Sequence, residues 1–413
     1  MSVICFIGVL IFIFVCLINK NWSNAVTYIT LGITLPLFLY LQNWSGLITT
    51  TKSKTFIYIF AVFYFLLFVY SVLTYNIRPS QLEASEQIVL TNAGRKIVPL
   101  VNLVFFSLYL LENYLGSGSI VPALMGIDIH TFNVSVISYI TASPIIVISV
   151  DYFAYLATKK LRFLVLLVLA FLTPVLTRGS RMAMVSAAIC FISLFLFFNK
   201  KSFRESLSKN TFRKVIFFVI VLAFAFFLIA YTNIRMNQYG KYNMKYDDLI
   251  QFCGPKFLRF IAPYYGYFPL SFNNLNINLL WQNVNHNYIG LYSFPCLFFG
   301  IFHLQFFGID QAADTAHRVI TSPTATVPTG FWEYYFDYGY LLFIPLLVAF
   351  FICWIFLVRS SQESETLNKR TMYFWFVSFW FLMSFQNVIF GPIVIISGLM
   401  LNYCIKWSFR VKN

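Results

Sequence analysis

The sequence predicts an all-α, polytopic integral membrane protein with about eleven transmembrane helices, and its pattern allows ten to twelve. Of its 413 residues, 60% are hydrophobic and only 10% are charged, with a mean hydropathy of +0.76. A soluble domain carries roughly 25% charged residues. Apolar runs of about 20 residues, the length that crosses ~30 Å of hydrocarbon, recur along the chain. The alternating segments of about ten residues that are typical of outer-membrane barrels do not occur.

The predicted spans are distributed along the whole chain, approximately at 2–18, 25–41, 55–75, 97–115, 134–150, 161–177, 182–198, 215–231, 334–357, 371–386 and 389–405. The first lacks a basic leader and a small-residue cleavage site, so we expect it to be retained rather than removed as a signal peptide. Residues 1–231 thus hold helices one to eight, and 334–413 hold helices nine to eleven and a cytoplasmic tail. Between them, 232–333 forms a large extracytoplasmic loop with short interfacial helices.

This loop is the predicted functional region, because a loop of about a hundred residues is uncommon without a function. Its stretch 288–309 is apolar enough to resemble a span. Pro295, Gly290, Gly300 and His303 favour a re-entrant or interface-lying helix there. A true span remains the alternative.

Basic residues predict the orientation. The net charge of +15 does not indicate nucleic acid, because most Lys and Arg residues lie in short loops between apolar runs. Segment 199–214 is the clearest cytoplasmic signature, and the tail with Lys406, Arg410 and Lys412 agrees with it. Loop 232–333 then faces outward, and its charges do not contradict this orientation, because long loops escape the charge rule.

Four arginines are predicted at the outer membrane level: Arg178, Arg181, Arg235 and Arg259. Arg178 and Arg181 flank a Gly-Ser turn, and two guanidinium groups at that spacing can grip a phosphate or pyrophosphate. The alternative is that these side chains extend to lipid headgroups. The outer face disfavours arginine on topological grounds, which supports a binding role most strongly for Arg181.

Two carboxylates open the ninth predicted helix. Glu333 and Asp337 are four residues apart and share a helix face near the outer surface. Either can accept a proton from a sugar hydroxyl or bind that hydroxyl. Tyr335, like Tyr265 in the Tyr-rich stretch of the loop, suits a sugar platform. The alternative for Tyr335 and its neighbours Trp332, Tyr334, Tyr338 and Tyr340 is an aromatic belt at the membrane interface.

His286, among Asn and aromatic residues of the loop, has a side chain suited to acid–base work. No histidine pair has zinc-ligand spacing, and no HExxH, P-loop or GxGxxG motif is present. We therefore expect no metal and no nucleotide or other cofactor.

Three stretches resemble the oligosaccharide repeat unit polymerases, the O-antigen polymerase (Wzy) family of bacterial membrane proteins. TRGSRMAM (177–184) resembles the family's SR-containing turn and supports Arg181 more than Arg178. NYIGLYSFPCLFFGI (287–301) is similar to a G-x-x-(T/S)-F segment. In TVPTGFWEYYFDYGYLLFIPLL (326–347), five residues fill a T-x5-Y-x-D-(F/Y)-G pattern: Thr329, Tyr335, Asp337, Tyr338 and Gly339.

The resemblance implies a GT-C-like, metal-independent glycosyltransferase in the bacterial cytoplasmic (inner) membrane, with its active site facing the periplasm. Its substrate would be an undecaprenyl-pyrophosphate-linked oligosaccharide, and its partners would be membrane lipids and a chain-length regulator protein. Arg181 and Arg235 would hold the pyrophosphate with support from Arg178 and Arg259. Asp337 or His286 would serve the acceptor as catalytic residue, and Tyr265, Glu333 and Tyr335 would contact sugar. A purely structural Asp337 would leave the base unidentified.

Three other functions compete with this one. An O-antigen ligase also combines an SR turn with a large outer loop. A flippase or other transporter of lipid-linked units predicts charges buried in mid-helix, whereas almost no charge falls inside the spans predicted here. A structural channel or scaffold subunit predicts that the arginines are dispensable.

Overall fold

The computed structural model describes the greater part of the chain, namely residues 1–78, 87–122, 137–141, 143–178, 181–198, 248, 250–281, 329–362, 367–381, 383 and 392–412. These residues are mostly helical, and the helices group into two compact units. Unit 1 comprises Met1–Arg78, Met244–Ser360 and Phe376–Pro392. Unit 2 comprises Pro79–Asn243, Ser361–Trp375 and Ile393–Asn413.

Unit 1 begins with two apolar helical segments, each containing a π-helical turn. Its elements are α1 (Ser2–Phe12) continued by the π turn Ile13–Ile18, α2 (Ala25–Ile29), the π turn Thr30–Thr34, α3 (Leu35–Leu41) and α4 (Lys54–Thr74). Further along the chain come three short elements and one long helix. These four elements are a 3-10 turn (Lys256–Ile261), α10 (Ala262–Tyr267), α11 (Pro269–Trp281) and α12 (Phe331–Ser360). The α-helices of both units are numbered together in chain order.

Unit 2 joins helices to a two-stranded ribbon. Its elements are β1 (Gln87–Leu90), α5 (Gly94–Ser117), α6 (Ile137–Thr141), α7 (Pro144–Thr158), α8 (Leu161–Arg178), α9 (Arg181–Phe198), parts of α13 (Leu367–Phe381) and α14 (Pro392–Ser408), and β2 (Phe409–Lys412). β1 and β2 pair antiparallel. The distribution of basic residues predicts that both strand segments lie on the cytoplasmic side of the membrane. Two paired strands must lie on the same side, and the ribbon agrees with that part of the prediction.

The predicted helical membrane architecture is supported at the level of length and composition. Among the described residues, three helices are long and apolar enough to cross a membrane: Lys54–Thr74, Gly94–Ser117 and Leu342–Ser360. Shorter apolar helices include Ser2–Ile18, Ala25–Leu41, Pro144–Thr158, Leu161–Pro174 and Val394–Ser408. Each predicted span within the described residues coincides at least in part with a helix. The segment 215–231 lies outside the described residues.

The fifth predicted span was placed too early along the chain. Its main helix, α7, continues to Thr158, so Asp151 lies in a helix and not in the predicted loop 151–160. The side chain of Asp151 is completely buried. Its Oδ1 accepts a hydrogen bond of 2.8 Å from Asn102 Nδ2 on α5. This partner lets a carboxyl occupy the helix, and local hydropathy cannot reveal it.

The loop that joins α3 to α4 is held by asparagines of α11. Asn273 Oδ1 accepts from Thr49 N at 3.0 Å, and Asn273 Nδ2 donates to Leu47 O at 2.9 Å. One helical turn later, Asn276 Oδ1 accepts from Ser53 N at 2.8 Å, and Asn276 Nδ2 donates to Thr51 O at 2.9 Å. Both asparagines are fully buried. Each asparagine therefore supplies hydrogen-bond partners to one N–H and one carbonyl group of the loop, where no regular helix or sheet provides them.

Lys52 lies in the same loop, with its ammonium group 4.1 Å from the ring centre of Tyr40. Its Nζ donates to Tyr40 Oη at 2.7 Å and to Thr49 O at 2.6 Å. Burial lowers the pKa of Lys52 to about 8. The loop and α11 thus form one packed body, although α11 belongs to the predicted loop 232–333.

We predict that Asn273→Ala destabilises unit 1. The substitution leaves the Thr49 N–H and the Leu47 carbonyl without their partner, which costs about 1–3 kcal/mol for each buried group. Thermal unfolding of the purified chain in detergent should show a lower midpoint. Gln42→Ala is the control, because Gln42 is exposed and its side chain makes a 3.4 Å bond to Phe38 O in the preceding turn of α3. Equal midpoints for the two variants would contradict the anchoring role.

Candidate functional site

The strongest candidate site is a break in α12. Gly339 has φ 56° and ψ −154°, a backbone conformation that residues with a side chain essentially never adopt. It divides α12 into a short first part, 331–338, and a second part, Leu342–Ser360, which is apolar enough to cross a membrane. We call residues 329–342 the acidic hairpin, because Glu333 and Asp337 both belong to it. The predicted span 334–357 is therefore not one continuous helix.

Aromatic contacts show that the first part folds back along the second. The ring centres of Tyr334 and Phe350 are 5.5 Å apart. A straight α-helix would place these two residues about 24 Å apart along its axis. The ring of Phe331 packs at 5.4 Å from both Phe60 and Phe63 of α4. The hairpin is thus packed against α4 and the second part of α12, within unit 1.

Both carboxylates of the acidic hairpin are buried. Asp337 is 0% exposed and Glu333 is 5% exposed. Glu333 lies in the first turn of the helix, where the backbone dipole stabilises a negative charge. Asp337 lies at the C-terminal end of the first part, where the dipole destabilises it. The helix dipole thus favours Glu333 and opposes Asp337, and we therefore take Asp337 as the first candidate for chemistry.

The backbone at the break adds polar groups to the same place. A helix end leaves its last four carbonyl groups, and a helix start its first four N–H groups, without intrahelical partners. Both kinds of end meet at Gly339. In membrane proteins such interrupted helices line binding sites for polar substrates. Two carboxylates and two helix ends thus lie close together in the hairpin.

The aromatic-belt interpretation fails for two residues of the hairpin. Trp332 is 2% exposed and Tyr334 is 0% exposed, so protein rather than lipid headgroups surrounds them. Tyr335 and Tyr338 are half-buried. Of the aromatic residues predicted here to contact sugar, Tyr335 is the one that the hairpin leaves accessible.

Arg178 and Arg181 occupy neighbouring helix ends in unit 2. Arg178 is the last residue of α8, and Arg181 is the first residue of α9. A cation at a helix C-terminus is stabilised by the helix dipole, whereas one at an N-terminus is destabilised by a similar amount, about 0.3–1 kcal/mol. Helix stability therefore explains Arg178 and does not explain Arg181.

Arg259 and Tyr265 both have partners within unit 1. Arg259 Nη2 lies 3.3 Å from Asp248 Oδ1, and each side chain is more than half exposed. Tyr265 is fully buried, and its hydroxyl accepts from Trp44 N at 2.9 Å and donates to Leu39 O at 3.0 Å. Burial raises the pKa of Tyr265, which keeps that hydroxyl protonated as a donor.

This placement disagrees with a sugar contact for Tyr265, because a sugar could reach the ring only if the loop 42–53 moved away. Arg235 and His286 lie outside the described residues. The structure thus brings together Glu333, Tyr335 and Asp337 on one short helix, and it puts Arg178 and Arg181 at adjoining helix ends.

Buried polar groups of unit 2 were not predicted. Besides the Asn102–Asp151 pair, Thr141 Oγ1 hydrogen-bonds to Glu112 Oε2, and Glu112 is fully buried. Asp151 Oδ2 makes no hydrogen bond to any described residue. The sequence predicts almost no charge in mid-span, and Asp151 in the middle of α7 departs from that prediction. The only sequence signal for such a buried pair is a polar residue in one apolar run, Asn102, and an acidic residue next to another, Asp151.

No protein-family model, curated protein or solved structure matches this chain.

We predict that Gly339→Ala disrupts the acidic hairpin. A side chain at φ 56° and ψ −154° is strained by about 1–3 kcal/mol, so the thermal midpoint should fall and protease sensitivity near residue 339 should rise. The matched control is Gly118→Ala. Gly118 also has a positive φ, 70°, so a side chain there is strained too, but its ψ of 4° belongs to the left-handed helical region that side chains can occupy. No atom of the described residues beyond its chain neighbours lies within 4 Å of the added methyl group, and we expect a smaller fall in its midpoint. Unchanged stability in Gly339→Ala would show that the hairpin does not need its glycine.

Proposed function

We propose that this chain is a surface polysaccharide polymerase that joins undecaprenyl-pyrophosphate-linked oligosaccharide units at the outer face of the bacterial cytoplasmic membrane. The observation that carries the proposal is the buried Asp337 beside the backbone break at Gly339. The dipole of a helix opposes a carboxylate at its C-terminal end. Titratable groups in such unfavourable environments cluster at functional sites.

The break also gives a physical reason for the sequence pattern on which the family resemblance rests. Of the five pattern residues, Gly339 provides a conformation that only glycine adopts readily. Asp337 stands two residues before it, and Thr329 lies buried immediately before α12 begins. The pattern thus encodes a folded-back helix opening, and this supports a site rather than a lipid-facing belt.

In the proposed reaction, a hydroxyl of the newest lipid-linked unit attacks the anomeric carbon of the growing chain. The bond between that carbon and the pyrophosphate oxygen breaks, and a glycosidic bond forms. Asp337 takes the hydroxyl proton. Undecaprenyl pyrophosphate leaves with the bonding electron pair, and arginines stabilise its charge. By the family resemblance, Arg181 and Arg235 would take this role with support from Arg178, whereas Arg259 is paired with Asp248. Tyr335 and Glu333 would hold sugar.

We predict that Arg181→Ala and Asp337→Asn each stop chain extension. The first removes a guanidinium from the leaving pyrophosphate. The second removes the proton acceptor, whose contribution to rate is typically 10²–10⁴-fold. Electrophoresis of the surface polysaccharide from a deletion strain carrying each variant should show single repeat units in place of a ladder.

Arg162→Ala is the control for the first variant, because Arg162 is an exposed arginine near the start of α8 and is predicted to face the cytoplasm. It should restore the ladder. A normal ladder in a stable, membrane-inserted Arg181→Ala variant would refute the pyrophosphate role. A normal ladder in Asp337→Asn would show that another residue accepts the hydroxyl proton, and His286 would be the next residue to test. A deletion strain with no polysaccharide on its surface lipid at all would exclude the polymerase and favour a ligase or a transporter.

A second candidate, a transporter of lipid-linked units, is favoured by the buried Asp151–Asn102 pair. An ionisable group inside an apolar helix is frequently part of a proton or ion pathway. Asp151→Asn keeps the shape of the side chain and removes its proton exchange. A polymerase should retain its ladder in this variant, whereas a transporter that uses Asp151 should lose export of repeat units. Loss of export would therefore favour the transporter over the polymerase.

A further inference from the structure

The 3-10 turn Lys256–Ile261 exposes an unusual amount of apolar surface. None of its residues is buried. Phe257 is 77% exposed and Phe260 is 45% exposed. Residues three apart in a 3-10 helix lie above one another, so the two phenylalanines share one face. Lys256 and Arg259, also three apart, share the adjacent face and are likewise exposed. The turn thus has an aromatic face beside a basic face.

Hydrogen bonds attach the segments on both sides of this turn to the end of α3 and to the loop that follows it. Tyr265 Oη donates to Leu39 O in the last turn of α3. Cys253 N donates to Trp44 O at 3.1 Å, in the loop that follows α3 and precedes α4. Residues on both sides of the turn are therefore attached at the end of the apolar segment Ala25–Leu41 and at the start of the loop that leads to Lys54–Thr74. If these apolar helices enter a bilayer, the turn lies at the level of its headgroups.

The charges of the turn suit that location. Phenylalanine and basic side chains on adjoining faces are typical of segments that lie in a membrane interface, with rings toward the acyl chains and cations toward phosphate. The Arg259–Asp248 ion pair is exposed, and exposed pairs of this kind contribute little to stability. Lipid phosphate can therefore compete for the guanidinium of Arg259.

We infer that the turn Lys256–Ile261 is a lipid anchor, which rests on the bilayer leaflet where α3 ends and α4 begins. Phe257 and Phe260 enter the boundary between headgroups and acyl chains, and Lys256 and Arg259 contact lipid phosphates. The anchor holds the described part of the region 232–333 against the membrane surface. This inference depends on the membrane location of the chain and not on polymerase activity.

The test places a nitroxide spin label at single cysteines of the full-length chain, in a variant whose native cysteines are replaced and whose thermal midpoint is unchanged. The protein is reconstituted in vesicles of phosphatidylethanolamine and phosphatidylglycerol. Collision rates with oxygen, which concentrates in the bilayer, and with a water-soluble nickel chelate report the depth of each label. Phe257→Cys and Phe260→Cys are the test positions, and Lys256→Cys is the matched control in the same turn.

We predict an oxygen-to-nickel collision ratio that is several-fold higher at positions 257 and 260 than at position 256. Equal nickel accessibility at 257 and 256 would overturn the anchor, because it would place the phenylalanine in water. Exclusion of both reagents from position 257 would also overturn it, because another part of the chain or a second copy would then cover the turn. None of these outcomes depends on whether Arg181→Ala makes polymer.

Discussion

A backbone N–H or carbonyl group without a partner costs several kcal/mol where water is scarce, and the irregular segments of unit 1 are organised by this cost. Between α3 and α4 the chain leaves helical geometry, and Asn273 and Asn276 of α11 supply the missing partners. Each asparagine amide can donate and accept at once, as a peptide group does. The loop 42–53 is therefore tied to α11, and the 250–265 region is hydrogen-bonded to it.

The cost of unpaired backbone groups also applies to the acidic hairpin. The backbone break at Gly339 interrupts intrahelical pairing beside a helix apolar enough to cross a membrane. Asp337 adds a charge at the helix end where the dipole opposes it. Nothing in helix stability calls for this arrangement, just as nothing in helix stability calls for Arg181 at the start of α9. The proposed polymerase gives Asp337 the task of accepting a proton and Arg181 the task of stabilising the leaving pyrophosphate.

Buried polar groups in unit 2 show how far hydropathy can mislead. Asp151 ended a predicted apolar run, and the run was therefore assumed to leave the membrane there. In the structure α7 continues past it because Asn102 of α5 meets the carboxyl. The hydropathy of one segment counts the free-energy cost of burying its charged residue, but it does not include a hydrogen-bond partner that is distant in sequence. Glu112 and Thr141 repeat this arrangement between α5 and α6. Such pairs are why the transporter remains a competing function.

Long apolar runs determined the existence of most described helices, because about 20 such residues can satisfy their backbone in a membrane only as a helix or a closed barrel. The sequence also singled out Glu333, Asp337 and Gly339 as neighbours on one element. It could not decide that the helix folds back, because glycine permits a positive φ without requiring it. It also could not show that Tyr265 would be buried under the loop 42–53 or that asparagines would hold that loop. Those outcomes depend on partners more than 200 residues away, and only the packed tertiary structure brings such partners together.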